Sequence, residues 1–505
     1  MEPNDPHKDT AKKLKIDDSK EQRNADRISD LPDHLLCKIL YSFDMKKVVQ
    51  TSFLSTRWRY IWTSVRILNF NSILFLNSYK RKVRGFDRFM EFVDDVFIHR
   101  DDSHVEKIFL YCNDQRVVLT RRVYSWLRAA VQQHVQDLDF RIPYIDSSLS
   151  LPLCLFTCDS LKVLKLCFGT SQIWLRLPKL VSLPALKVLH LESIRFVGEI
   201  RTSELFSGSP LLESLVIVRC HFCSSMLKTL IICTPKLKDL VIEYDVHRES
   251  YSTEGFPTIQ ISAPSLLRLK VKDHFGRDYI IGSLSSIVNV DIDMEKEDTK
   301  DLDDGTEVAA QTKKGYAERA MKFIGAFQNA RALTVSPLLL EAVSYSPFSQ
   351  WKSLSLQFDN LRVMKLKTWL CPISIRAINY LLNVSPNVES LLIEVVQRDM
   401  RFFDGDEGHF WTTTTITKYE DAEFPLQCMN HLKLVKIGGI LRCINGLIFL
   451  KALLEKALIL KEVVIYTSKK ARKDEKWMEL KENVRQITAA SSNVSYRFRA
   501  SNPRE

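Results

Sequence analysis

The chain has no run of the eighteen or so apolar residues that a membrane span needs. Its opening stretch, MEPNDPHKDTAKKLK, has no apolar signal core, so secretion is not expected. It contains no G-x-x-x-x-G-K-[ST], no G-x-S-x-G and no H-E-x-x-H, which removes support for phosphate-loop, hydrolase-elbow and zincin chemistry. Cysteines number eleven, an odd count, and stand mostly singly within apolar segments. That pattern fits reduced, buried thiols of the nucleus or cytoplasm better than a disulfide framework. One C-x-x-C occurs, at Cys220-His221-Phe222-Cys223, but no second pair follows at zinc-site spacing, so no metal is expected there. Two sequons, at Asn383 and Asn493, carry no meaning without a secretory signal.

What is present is a soluble globular composition, 45% apolar and 26% charged, over 505 residues, more than one ordinary core can hold. The net charge of +11 permits an acidic partner. Basic clusters at Lys80, Arg81, Lys82, Arg84 and at Lys469, Lys470, Arg472, Lys473 lack an evident platform of stacking aromatics, so they are read as solvated faces, and nucleic acid is not the expected partner.

Residues 1–24 mix both charges with almost no apolar content and are expected to be a disordered tail, with Lys12, Lys13 and Lys15 part of it. Residues 25–70 read as a small helical domain. Pro32 opens a first helix whose Leu35, Leu36, Ile39 and Leu40 share a face. Val48, Val49 and Phe53 suggest a second. Ser55 is a candidate N-cap for a third carrying Trp58 and Trp62. Three short helices bury little area, so such a unit normally packs on a partner or neighbour.

Residues 71–398 carry a repeat of the form L-x-x-L-x-L. Its clearest copies are Leu161/Leu164/Leu166, Leu186/Leu189/Leu191, Leu212/Leu215/Ile217, Leu237/Leu240/Ile242 and Leu266/Leu269/Val271. Their middle positions step by about 25–29 residues, the period of a leucine-rich-repeat solenoid. Degenerate units are read upstream at Val105/Ile108/Leu110 and Val135/Leu138/Phe140. Downstream they are read at Ile287/Val290/Ile292, Ala330/Leu333/Val335, Trp351/Leu354/Leu356 and Val388/Leu391/Ile393. Each L-x-L is expected to be a short strand with its leucines pointing into the solenoid, because side chains alternate faces along a strand. Cys220 sits where such repeats place a core Cys or Asn. An acidic stretch with nine acidic and two basic residues over 291–307 suggests a flexible insertion near 293–315, and residues 399–424 read as loop. Residues 425–500 hold two further strands, at Leu432/Val435/Ile437 and Leu460/Val463/Ile465. They also hold helices around Leu447–Leu454 and Trp477–Ile487 and a closing strand through Val494, Tyr496 and Phe498, a pattern suited to capping the solenoid.

DRISDLPDHLLCKIL at 26–40 and VVQTSFLSTRWRYIWTSV at 48–65 resemble the F-box. With the repeats, and with FPLQCMNHLKLVKIGG and FLKALLEKALILKEVVI near the end, the chain resembles the plant F-box proteins that carry leucine-rich repeats and an FBD domain. His34 departs from the acidic residue usual in the motif, and YSFDMKK at 41–47 lacks its leucine–proline–threonine turn. The resemblance implies an α/β architecture: a three-helix F-box, a leucine-rich-repeat solenoid and a carboxy-terminal FBD-like cap. It implies a non-catalytic, cofactor-free substrate receptor of a Skp–cullin–F-box ubiquitin ligase. Leu31, Pro32, Leu35, Ile39 and Leu40 would touch the Skp-type adaptor, and through it a cullin scaffold, with Leu54, Trp58 and Trp62 fixing the helices. The alternative is a repeat scaffold that recruits no ligase. Strand alternation makes Lys165, His190, Val216, Val241, Arg268 and Lys270 the candidate substrate-binding positions, an apolar centre bounded by charge, for a protein the sequence does not name.

Overall fold

The computed structural model describes residues 28, 30–75, 82–113, 116–146, 151–169, 173–175, 177–196, 202–222, 228–244, 258–295, 307–346, 356–396, 426–440, 444–467 and 475–500. The expected tail at 1–24, the loop at 399–424 and the basic cluster at 469–473 lie outside them. The chain divides into two units, Met1–Phe109 and Leu110–Glu505. Among the described residues no helix is long and apolar enough to cross a membrane.

In the first unit Pro32 is the N-cap of the helix Asp33–Leu40, which buries Leu36, Cys37 and Leu40. Asp44 caps the helix Met45–Gln50 by accepting from Lys47 N at 3.1 Å, satisfying a donor that the first turn would otherwise leave unpaired. The third helix is a single turn, Trp58–Ile61, preceded by Arg57 and without a side-chain cap, so the expected capping by Ser55 does not occur. Trp58 and Ile61 turn inward on it. The strand Ile67–Asn71 buries Leu68 and Phe70, and the helix Lys82–His99 follows. Polar ties knit the unit. Lys46 Nζ donates to Leu74 O at 2.6 Å, and the buried Arg100 donates to Val65 O at 2.5 Å and Ser103 O at 3.3 Å.

The second unit is a ladder of parallel strands. Asp137–Ile142, Val163–Phe168, Val188–Glu192, Ser214–Val218, Asp239–Glu243, Arg268–His274 and Asn289–Glu295 pair in sequence order. Ala332–Val335, Val363–Thr368, Ser390–Val395, Leu434–Gly438, Glu462–Thr467 and Ser495–Ala500 continue it. Register is held without slippage: Leu138, Leu164, Leu189, Leu215, Leu240, Leu269, Val290 and Leu333 stand directly against one another from strand to strand. All eight are buried, so each repeat covers the apolar edge of the next, which no repeat could do alone. Cys220 occupies its expected core place, its thiol donating to Leu191 O at 3.4 Å.

A second layer backs the ladder, and its make-up changes along the chain. Two three-stranded sheets serve the earlier repeats, one of Ile173–Leu175, Ile194–Phe196 and His221–Phe222, the other of Thr229–Cys233, Thr258–Ser262 and Tyr279–Ile281. The helices Glu307–Gly325, Pro337–Ser344 and Pro372–Asn383 then pack one on the next, the first of them against Tyr279–Ile281. Near the end of the chain Trp477, on the helix Glu475–Gln486, meets Phe498 edge-on at 5.6 Å. Gly439 follows a ladder strand with φ +79, where an added Cβ would lie 2.3 Å from Val395 O, so only glycine fits without a shift.

Two expectations need correction here. The expected flexible insertion near 293–315 does not hold at either end of the span, while residues 296–306 lie outside the described set. Asn289–Glu295 is a ladder strand burying Val290, Ile292 and Met294, and Glu307–Gly325 is a helix burying Tyr316, Ala320, Met321, Phe323 and Ile324. Alternation resolves the apparent conflict: Asp291 and Asp293 take the outward positions while apolar residues fill the inward ones. Likewise, the strand that follows Ala332–Val335 is Val363–Thr368, burying Met364 and Leu366, with Leu361 buried just before it. The string Trp351/Leu354/Leu356 matched the repeat pattern, but residues 351–355 lie outside the described set and Leu356 is in no strand.

Candidate functional site

Two surfaces merit a functional reading, one on each unit. On the first, the interior is Leu36, Leu40, Met45, Val48, Trp58, Ile61 and Val65. What stays outside is large and apolar: Ile28 is 56% exposed, Ile39 45%, Phe43 42%, Phe53 87%, Leu54 68% and Tyr60 69%. Scattered single apolar residues are ordinary on a protein surface, but six on so small a helical unit make it a candidate docking surface.

The structure sorts the expected adaptor residues. Pro32 and Ile39 are exposed, and Leu31 and Leu35 are half-buried. Leu40 is 2% exposed and cannot be a contact; it belongs to the core with Leu36 because both lie on the inward stripe of the helix. Leu54, expected to fix the helices, instead faces solvent, while Trp58 is buried and Trp62 half-buried in the framework role. Phe53, which with Val48 and Val49 suggested a second helix, sits on a one-turn 3-10 helix, Thr51–Phe53, and points out. Tightening of that turn rotates it off the α-helical stripe. Arg57 Nη2 pins the Leu31–Pro32 edge, bonding Leu31 O and, at 2.8 Å, Asp33 Oδ1. Phe43 and Tyr60 had no signal in periodicity; both lie at or beside helix ends, where the 3.6-residue pattern is too short to read.

On the second unit the outward side chains of the ladder form rows. Asp139, Lys165, His190, Val216, Val241, Lys270 and Asp291 lie on one row, each directly opposite the next. Five of the six substrate candidates are therefore brought together. Arg268 is on the neighbouring row, paired with Asp239 in register and in an ion pair. Val216, Val218 and Val241 are half-buried and make an apolar centre. Toward the carboxy-terminal repeats Lys270 Nζ meets Glu243 Oε1 at 2.6 Å and Lys272 Nζ meets Glu295 Oε1 at 2.9 Å. The hydrogen bonds to these carboxylates raise both ammonium groups above their usual range. Desolvation raises the neighbouring Asp291 carboxyl. Partly exposed pairs of this kind contribute about 0.2–1 kcal/mol each and act more on register and specificity than on stability.

The amino-terminal side of this face is more tightly arranged. Asp139 is buried and accepts from Arg141 Nε and Nη2, both at 2.9 Å, with Lys165 Nζ at 3.9 Å. Next to them stand Cys167, His190 and Glu192, half-buried on two adjacent strands. Burial lowers the His190 imidazole below its usual range, and burial with the Glu192 and Asp139 carboxylates pushes the Cys167 thiol up to about 12. Strand alternation in the sequence already put Lys165, Cys167, His190 and Glu192 on the outward face, with Lys165 and His190 alone among them taken as substrate candidates.

A buried polar knot closes the strand Arg268–His274. Asp273 is fully buried; it accepts from the Tyr279 hydroxyl and pairs with Arg277 Nε at 3.0 Å, while the Arg277 guanidinium lies 3.9 Å from the centre of the Tyr244 ring. A cavity of about 410 Å³ opens beside it, lined by His274, Arg277, Tyr279, Arg319 and Phe323 among others. Local sequence carries no sign of it.

A helical first unit followed by a ladder of parallel, leucine-lined repeats is the architecture expected of an F-box chain with leucine-rich repeats. Comparison with known proteins agrees. The F-box domain model matches residues 28–70, and the model described as "FBD-associated F-box protein At5g56370, LRR repeats" matches residues 123–277. The chain is 33% identical over 269 residues to "Putative FBD-associated F-box protein At5g53635" of Arabidopsis thaliana, covering 53% of this chain and 59% of that one. It is 33% identical over 275 residues to "F-box/LRR-repeat protein 13" of the same plant, covering 53% and 56%. "FBD-associated F-box protein At1g66310" is 29% identical over 380 residues, 73% of this chain and 76% of its own length. The chain thus spans little more than half the length of the first two relatives, and the resemblance to plant F-box, leucine-rich-repeat and FBD proteins stands.

Proposed function

We propose that this chain is the substrate-recognition subunit of a Skp–cullin–F-box ubiquitin ligase. The observation that carries the reading is the exposed apolar set on the unit that the F-box model matches. Pro32, Ile39, Phe53 and Leu54 dock a Skp-type adaptor and through it a cullin scaffold, with Leu31 and Leu35 supporting the edge. The outward ladder face around Val216 and Val241, rimmed by Lys165, His190, Arg268 and Lys270, holds a protein substrate. Such a subunit breaks no bond itself. It raises the effective concentration of substrate lysines at the charged conjugating enzyme, turning a bimolecular transfer into a nearly intramolecular one. A subunit of this kind works in the nucleus or cytoplasm, where the described cysteines, all free, stay reduced.

The test is copurification of the full chain with a Skp-type adaptor. Recovery of a stoichiometric complex, lost when Ile39 and Leu54 are both changed to Asp, supports the reading. A folded chain that never retains adaptor overturns it and leaves the repeat scaffold without a ligase.

A further inference from the structure

We propose that Cys167, His190 and Glu192 form a binding site for a thiophilic divalent transition metal, zinc above all, on the outward face of the ladder. The sequence suggested no metal here, because the residues belong to two repeats. The donors come from the adjacent strands Val163–Phe168 and Val188–Glu192. Cys167 and Glu192 are direct register partners, and His190 lies two residues before Glu192 on the same face. One Sγ, one imidazole nitrogen and one carboxylate oxygen all fall within 4.8 Å of one another. His190 Nε2 is shielded from solvent and makes no hydrogen bond, and Glu192 Oε2 stands 3.8 Å from it. Ligands of one tetrahedral zinc ion sit roughly 3.3–3.8 Å apart, given bond lengths of about 2.0–2.3 Å, so the observed cluster needs only small side-chain adjustments.

The surroundings suit an ion. The other carboxylate oxygen, Glu192 Oε1, accepts from Arg219 Nη2, an outer partner that fixes the ligand's orientation. Arg219 reaches it from a left-handed backbone conformation, φ 49, at the end of the strand Ser214–Val218. The two other nearby cations, Arg141 and Lys165, are held by Asp139. A sulfur, a nitrogen and an oxygen donor together favour zinc or cobalt over magnesium or calcium, which take oxygen ligands. On binding, the ion replaces the Cys167 thiol proton, which passes to solvent, and the metal–sulfur bond forms in its place. Three protein ligands leave the fourth position to water. The site does not depend on whether the chain recruits a ligase.

The experiment is a titration of the purified full chain with cobalt(II) and then zinc(II), with the fold of every variant checked by circular dichroism. The expected result is one cobalt ion per chain, a sulfur-to-cobalt charge-transfer band, and its displacement by one equivalent of zinc. C167S should abolish the band, H190Q and E192Q should each weaken cobalt binding at least tenfold, and C233S, at an exposed cysteine, should change nothing. Zinc should also raise the melting temperature of the native chain and not of C167S. A native chain without the charge-transfer band, a band that survives C167S, or unchanged affinity in a folded H190Q overturns the proposal.

Discussion

Neighbouring residues on the first helix, Ile39 and Leu40, should fail in opposite ways when changed. Leu40 is 2% exposed and packs with Leu36, so Leu40→Ala removes buried methyl groups and leaves a cavity. That should cost about 2–5 kcal/mol of the unit's folding energy. Ile39 is 45% exposed. With roughly 180 Å² for a whole isoleucine, about 80 Å² remains for a partner to cover, worth about 2 kcal/mol at ~25 cal/mol per Å². Ile39→Ala should therefore weaken adaptor binding by about 30-fold while moving stability by no more than about 0.5 kcal/mol, as at an ordinary surface position. Calorimetric titration against a Skp-type adaptor reads the first number, and limited proteolysis of residues 30–75 reads the second. If Ile39→Ala binds normally while a folded Leu40→Ala does not, the assignment of faces on this helix is wrong.

Other predictions follow from the ladder and its polar parts. Leu240, 1% exposed between Leu215 and Leu269 in register, should cost about 2–5 kcal/mol on change to Ala, seen as a lower chemical-denaturation midpoint. Asp273→Asn should destabilise by about 3–5 kcal/mol because it removes the buried carboxylate that faces the buried Arg277 charge; Tyr279→Phe, which removes one hydroxyl, should cost less, and an equal loss would refute the pairing. Among the described cysteines, alkylation mapped by mass spectrometry at pH 8 should label the exposed Cys233 and Cys428 first and Cys220 last, since burial pushes the Cys220 thiol up to about 12 and thiolate is the reactive form. Val216→Asp with Val241→Asp should abolish substrate capture and leave adaptor binding within a factor of two, measured by paired pull-downs.

Sequence alone determined the repeat and its inward face. A strand has period two, so Leu164 and Leu166, or Leu240 and Ile242, must share a side whatever the rest of the chain does, and stacking is then forced because one repeat cannot bury them. It also determined that residues around 31–62 form a small helical unit, since the proline, leucine and tryptophan positions recur at helical spacing. Tertiary structure decided what local pattern leaves degenerate. Leu40 and Leu54 are the same residue type in the same unit, yet one is core and the other surface, because helices of four to eight residues carry too few turns to define a stripe without their neighbours. Met364 takes an inward place in a ladder strand, opposite Leu333, although a more regular leucine string precedes it in the sequence. Cys167, His190 and Glu192 are separated by up to 25 residues and share no motif. They meet because parallel strands in fixed register bring equivalent positions of successive repeats into contact, a distance that exists only once the repeats have stacked.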